Sequence, residues 1–443
     1  MKNTPIDFQV VKEQIEGAKM SNIGRASIRE LVRLVNEIER ITGEKFIRME
    51  MGVPGLEPPD IGIEAEIAAL RRGVASKYPL INGVPELKRE INRFVKLFLN
   101  IEVGEEGCIP TVGAMQGAMA AFMVANRSDR TKLGTLFIDP GFPVQKAQCR
   151  VLGHDYESFD VYDHRGEKLR PKLESYLRTS NISTILYSNP NNPSWICFTE
   201  GELQIIGELA DKYDAIVIED LAYSGMDFRK DYSQPGQPPY QPTVARYVDN
   251  WILLISGSKV FSFAGERVGA MVISDHLFTR CYPDLLRYYT SDYFGYSMIF
   301  GALYSLSAGV NHSSQYGLAA MLKAANDGEF NFVDSVRVYE EKARIMKKLF
   351  LSNGFYIVYD KDIDTPIADG FYFTIAYPGI TGDELLRELL FYGISAISLN
   401  ITGSTRTDGL RACVSQVHPS QYPVLESRLR RFNEDQQGKK EGH

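Results

Sequence analysis

Between about residues 110 and 275 the chain repeats one pattern: a short, mostly apolar run, then an amphipathic stretch of helical length. The runs are TLFID (135–139), TILYS (184–188), AIVIED (215–220), WILLIS (251–256) and GAMVIS (269–274). They are too short for helices and apolar at successive positions, so they read as strands buried on both faces. Strands separated by helices pair in parallel, because the helix carries the chain back across the sheet. This pattern predicts an α/β fold with a mostly parallel sheet and helices on both faces. One connecting stretch, EGELQIIGELADKY, opens with Thr199 and Glu202 at capping-box spacing.

Outside that region the elements are mostly helical. Ile28, Leu31, Val32, Val35 and Ile38 share a helical face that stops at Gly43, and further helices are expected around 61–74 and 85–100. A helical pattern at 331–353 leads to GFYFTIAYP and a final helix near 419–433. The tail NEDQQGKKEGH is polar and expected to be disordered. At 443 residues the chain is too long for one core, which predicts about two domains. The expected division is an N-terminal arm with part of the small domain (1–60), a large domain (61–325) and a small C-terminal α+β domain (326–443).

A formal charge of -7 without a basic stripe argues against a nucleic-acid partner. The N-terminus is too polar for a secretory signal, and no apolar run approaches membrane-spanning length. Five scattered cysteines lack Cys-x-x-Cys spacing, and the six histidines lack metal-ligand spacing. The expectation is a soluble cytoplasmic protein with free thiols, no bound metal and no membrane partner.

Four clusters of polar or small residues fall at strand ends, where α/β sheets hold ligands. TVGAMQGAM sets Gly113, Ala114 and Met115 at a helix start, whose free N–H groups and dipole favour a phosphate. SNPNNPSW puts Asn189 and Asn192 in a proline-fixed turn after a strand. AIVIEDLAY ends an apolar strand with Asp220, followed by Tyr223. A carboxylate there needs a donor or cation to offset its desolvation. ISGSKVFSFAGERVGA carries Ser256, Ser258, Lys259 and Arg267. Taken singly, each has an ordinary structural explanation: a packed helix, a turn, a solvated lysine.

Their order along the chain resembles the class I and II aminotransferases, pyridoxal-phosphate enzymes of fold type I, from about Ser27 to about Arg431. The most specific stretch is 256–269, where the serines, Lys259, Ser262, Phe263, Gly265, Arg267 and Gly269 fit the lysine-attachment pattern. The resemblance implies pyridoxal 5'-phosphate as cofactor and Lys259 as the lysine that joins it covalently. It implies Arg267, Ser256, Ser258 and the backbone of Gly113, Ala114 and Met115 around the cofactor phosphate. Asp220 would pair with the pyridinium nitrogen, Asn192 and Tyr223 would reach the ring's phenolic oxygen, and Phe142 would stack on the ring. Arg411, with Gly52 and Asn192, would hold the substrate α-carboxylate. Tyr78 would reach the phosphate of a neighbouring subunit, which implies a homodimer with shared active sites.

The implied activity is transfer of an amino group from an α-amino acid to a 2-oxo acid. A carbon–sulfur lyase or amino-acid decarboxylase on the same fold is the alternative, since Arg411 would serve any of them; an effector domain of a transcription regulator lacks a preceding basic DNA-binding segment. Three features depart from the pattern. Gly257 replaces a larger apolar residue, Ser194-Trp195 stands where Thr-Gly is usual, and Leu221 stands where glutamate is common. The stretch 288–304 holds seven aromatic rings. These are expected to form either a packed interface helix or a wall favouring apolar and aromatic amino acids over aspartate. Arg287 is a candidate for a second substrate carboxylate or, more simply, a surface charge.

Overall fold

A computed structural model describes residues 4–18, 22–132, 134–178 and 182–441, without the side chains of 440 and 441. The chain forms two compact units. The larger comprises Leu56–Asn191 and Cys197–Val336, and the smaller Met1–Gly55, Asn192–Ile196 and Arg337–His443.

In the larger unit the apolar runs form a seven-stranded sheet. Its strands are β1 (Cys108–Thr111), β2 (Gly134–Asp139), β3 (Tyr156–Asp160), β4 (Ile182–Ser188), β5 (Ile216–Asp220), β6 (Trp251–Ser256) and β7 (Gly269–Ile273), ordered β1-β7-β6-β5-β4-β2-β3. Every residue of β2, β4, β5, β6 and β7 is buried, as expected for strands covered on both faces. All neighbours from β6 to β3 pair in parallel, and β7 alone runs against the rest. The reason is local. No helix lies between Ser256 and Gly269, so the chain turns back instead of crossing over. The turn-back delivers the 257–268 loop to the carboxyl edge of the sheet.

The Gly113–Ala125 helix lies on this sheet, and its Ala118, Ala121, Phe122 and Ala125 join Ile218, Ile252, Leu254 and Met271 in one core. The Glu200–Lys212 helix opens with the predicted capping box, Thr199 accepting from the Glu202 N–H and Glu202 from the Thr199 N–H. The helices predicted at 61–74 and 85–100 are Asp60–Arg71 and Pro85–Leu99, and both pack on His312–Asn326.

The aromatic segment is not one regular helix. It runs from a 3-10 turn, Pro283–Arg287, through a single turn, Phe294–Tyr296, into a π-helix, Ser297–Leu303, and a last turn, Tyr304–Ser307. Phe294, Met298, Ile299, Ala302 and Leu303 point into the core, while Tyr293, Tyr296, Phe300 and Tyr304 are about half exposed. At Gly301 a Cβ would meet the Tyr289 ring at 2.3 Å, so the wide turn closes over that ring only with glycine there.

The smaller unit is built on an antiparallel sheet of β8 (Tyr356–Ile357), β9 (Tyr372–Ala376), β10 (Ile397–Ser398) and β11 (Gly409–Cys413), ordered β10-β11-β9-β8. In the Ile28–Thr42 helix Leu31, Leu34, Val35 and Ile38 are buried, Ile28 and Val32 only partly, and Gly43 ends it at φ +74°. Two expectations need correction. The pattern at 331–353 is a short 3-10 turn, Asp334–Val336, followed by a helix only over Val338–Leu351. The polar tail is helical: the last helix runs Tyr422–Glu441. Tertiary contacts hold it there. Phe432 is buried, Tyr377 Oη donates to Asn433 at 2.7 Å, and Tyr392 Oη donates to Asp435 at 2.7 Å.

Candidate active site

At the carboxyl edge of the large sheet, Asp220 ends β5 and Ser256 ends the adjacent β6. Asp220 is buried, its Oδ1 accepting from the Ala222 N–H at 3.1 Å and its Oδ2 from Gln145 Nε2 at 2.9 Å. Burial pushes its carboxyl up to about 6, although Ala222, Gln145 and the Lys259 ammonium each pull it down. Lys259 lies three residues past β6, half-buried and within electrostatic reach of Asp220. Tyr223 is buried in the turn after Asp220. Glu219 points the other way, as strand alternation requires. It accepts from Thr243 Oγ1 at 2.5 Å and the Val244 N–H at 3.1 Å, and burial pushes it up to about 7.

The anion-binding features converge beside this carboxylate edge. The Gly113–Ala125 helix has no side-chain cap, so the first-turn N–H groups of Gly113, Ala114 and Met115 are open to an acceptor. Gly113 has φ +67°, and a Cβ there would come within 2.8 Å of Arg267 Nη2. A Cβ at Gly269 would meet the Ile255 carbonyl at 2.5 Å and the Ala114 nitrogen at 3.4 Å. Glycine at both positions thus lets β7 and the guanidinium close on the helix start. Arg267 itself has φ +53°; its Nη1 donates to the Ala264 carbonyl at 2.9 Å and approaches Ser258 Oγ at 3.5 Å. The Ser258 N–H donates to Ser256 Oγ at 3.1 Å. Helix dipole, guanidinium and two hydroxyls form a cradle for a dianion.

Phe142 is the half-buried residue before Pro143, at the mouth of the Pro143–Leu152 helix that carries Gln145. Tyr78 stands 93% exposed on a loop. Arg287 ends its 3-10 turn with its guanidinium 5.3 Å from the centre of the Tyr288 ring.

The smaller unit gathers a different set. Arg411, on β11, is buried; Nη1 reaches Asn192 Oδ1 at 3.4 Å and Nη2 donates to the Glu50 carbonyl. Its Nε has no hydrogen-bond partner among the described residues. A buried guanidinium N–H left unsatisfied costs roughly 1–3 kcal/mol, a cost that a bound acceptor would relieve. Under the guanidinium lies the Tyr372 ring, 4.7 Å from Arg411 Cζ to its centroid. A Cβ on Gly52 would strike Tyr372 Oη at 1.9 Å, so Gly52, Tyr372 and Arg411 are contiguous.

Sequence reasoning missed Gln145 and Tyr372. Gln145 is three residues past Phe142 at the start of a helix, and that spacing was its only signal. Tyr372 had none: only the β9–β11 register places it on one face with Arg411, two positions apart.

The fold and the family match define the class. The architecture is that of fold type I aminotransferases: an alanine aminotransferase from Pyrococcus furiosus superposes with TM-score 0.72 at 19% identity, over 93% of this chain and 98% of the other. Residues 44–429 match the profile of aminotransferase class I and II, and the chain belongs to that family. A probable aspartate aminotransferase of Methanocaldococcus jannaschii is 25% identical over 59% of this chain, and that alignment spans 64% of the relative's length. An LL-diaminopimelate aminotransferase of Natranaerobius thermophilus is 24% identical over 77% of this chain and 81% of its own.

Proposed function

We propose that this protein is a pyridoxal-phosphate aminotransferase that moves an amino group from an α-amino acid to a 2-oxo acid. The observation that carries the reading is Lys259 at the carboxyl edge of β6, within electrostatic reach of the buried Asp220 carboxylate on β5. The donor set fits the cofactor. Its phosphate matches the cradle of Gly113, Ala114, Met115, Ser256, Ser258 and Arg267, which a Cβ on Gly113 would obstruct. The cofactor supplies an electron sink for a carbanion at the substrate Cα.

The residues divide the remaining work. Asp220, held by Gln145 and the Ala222 N–H, would present its carboxylate to the cofactor's ring N–H and keep that proton in position. Lys259 Nζ is the amine that would hold the cofactor covalently, and when free it would serve as the base that takes the substrate Cα proton and as the acid that gives it back. Asn192 and Tyr223 would donate to the cofactor's ring oxygen, and Phe142 would cover one face of the ring. Arg411 would grip the α-carboxylate with its buried fork, and the Gly52 backbone, which makes room for the Tyr372 hydroxyl, would close over it.

Relatives named for aspartate, diaminopimelate and asparagine support an α-amino-acid donor without singling out a side chain. We propose a homodimer, supported by the exposed Tyr78, Leu80, Tyr296, Phe300 and Tyr304 on the larger unit. A cytoplasmic setting accords with five cysteines that form no disulfide.

Borohydride reduction of the holoenzyme followed by peptide mapping tests the site: the pyridoxyl label is expected on Lys259. A label on another lysine contradicts the cofactor assignment. The activity is tested by screening amino acids with 2-oxo acid acceptors. Release of pyruvate with sulfide, or of carbon dioxide, in place of the matching 2-oxo acid would make it a lyase or decarboxylase.

A further inference from the structure

Trp195 occupies a position that its backbone disfavours. It has φ +66°, in the left-handed region that a bulky side chain rarely adopts, and yet its side chain is fully buried. Such an outlier persists only where its surroundings hold it, and it is a lead to function. Its indole lies over Gly370, where an added Cβ would come within 2.2 Å of the ring. Two residues on, at the start of β9, Tyr372 meets the indole edge to face, with centroids 6.1 Å apart and planes at 70°. The Tyr372 ring also meets the Arg411 guanidinium, 4.7 Å from its centroid, and Tyr372 Oη fills the space beside Gly52. The stack Trp195–Tyr372–Arg411 is therefore continuous, buried and contained in the smaller unit.

A lone guanidinium on a long side chain has many rotamers. Asn192 at 3.4 Å and the Glu50 carbonyl hold only its Nη ends. Ring stacking fixes the plane of the fork, and a bidentate clamp depends on that plane. We propose that Tyr372 and Trp195 are positioning residues of the α-carboxylate clamp: Tyr372 sets the plane of Arg411, and Trp195 locks Tyr372, so the clamp is preformed before substrate arrives. The inference rests on Arg411 being the carboxylate site.

The test compares two ligands on the holoenzyme, followed by cofactor absorbance: an α-methyl α-amino acid, which binds without losing a Cα proton, and the corresponding amine lacking the carboxylate. The wild type should prefer the acid. Tyr372→Leu removes the ring and should weaken acid binding about three- to thirtyfold, the range of one cation–π contact, while amine binding stays within about twofold. Tyr372→Phe keeps the ring and should restore the preference. Trp195→Phe, a milder change that keeps an aromatic in the core, should lower the preference in the same direction. If Tyr372→Leu does not fold, Trp195→Phe decides alone. Variants that lose thermal stability but keep the wild-type acid-to-amine ratio would make the stack ordinary packing and overturn the proposal. A wild type with no acid preference would overturn it as well. Preference present in the wild type and lost in the variants supports it even if no 2-oxo acid appears, in which case the aminotransfer reading alone fails.

Discussion

Asp220 is held in a costly state. Its carboxyl titrates near 3.8 when unfolded and about 6 when folded, because burial outweighs the pull of Ala222, Gln145 and Lys259. The folded protein binds this proton more tightly, so the penalty is absent below about pH 4 and complete above about pH 6. That difference corresponds to on the order of 3 kcal/mol. In cofactor-free protein, Asp220→Asn should raise the urea midpoint at pH 8 and leave it nearly unchanged at pH 4. An equal shift at both pH values would show that the carboxylate is not raised. In the holoenzyme the same variant should lose at least about a hundredfold in turnover, within the usual reach of a positioned acid or base. Asp220 was legible as a candidate because a carboxylate ending a buried strand needs a reason to be there, whereas Arg411 was picked out only by the family resemblance. Gln145 and Tyr372 were not, because each acts on a residue from a different element.

Elements were legible where apolar spacing alone decides them. The buried strands of the large sheet needed no partner to be recognised, and the Thr199–Glu202 cap was readable from four residues. The C-terminal helix was legible only up to about 433, because Asn433–Glu441 is polar and its order comes from elsewhere. Tyr377, Tyr392 and Glu388, the last paired with Lys439 at 3.1 Å, anchor it. Removing residues 433–443 deletes two buried-edge hydrogen bonds and should lower stability by about 1–3 kcal/mol. An unchanged urea midpoint would mean that the tail contributes nothing. The π-turn at 297–303 was equally invisible, since it depends on Tyr289 filling the space over Gly301. Gly113 belongs to this scale too. Gly113→Ala combines a disfavoured φ with a clash against Arg267 and should weaken cofactor binding about tenfold to a hundredfold, readable by fluorescence titration.

At the scale of the whole molecule, two separately built residue sets serve one proposed reaction. The larger unit carries an anion cradle, a lysine and a buried acid. The smaller carries a preset arginine with an open donor. The half-exposed rings of Tyr296 and Phe300 belong to the proposed contact between subunits. Tyr296→Lys with Phe300→Glu should shift the protein to monomers in sedimentation equilibrium, and a persistent dimer would move the interface elsewhere. The central claim is that Lys259 runs a reversible amino-group transfer, and a single-turnover experiment tests it most directly. Holoenzyme is mixed with one amino acid and no 2-oxo acid acceptor. One equivalent of the matching 2-oxo acid per subunit is predicted, with loss of the pyridoxal absorbance and its return when a 2-oxo acid is added; Lys259→Ala should give neither. Continuous product release without an acceptor, or equal turnover by Lys259→Ala, would contradict the account.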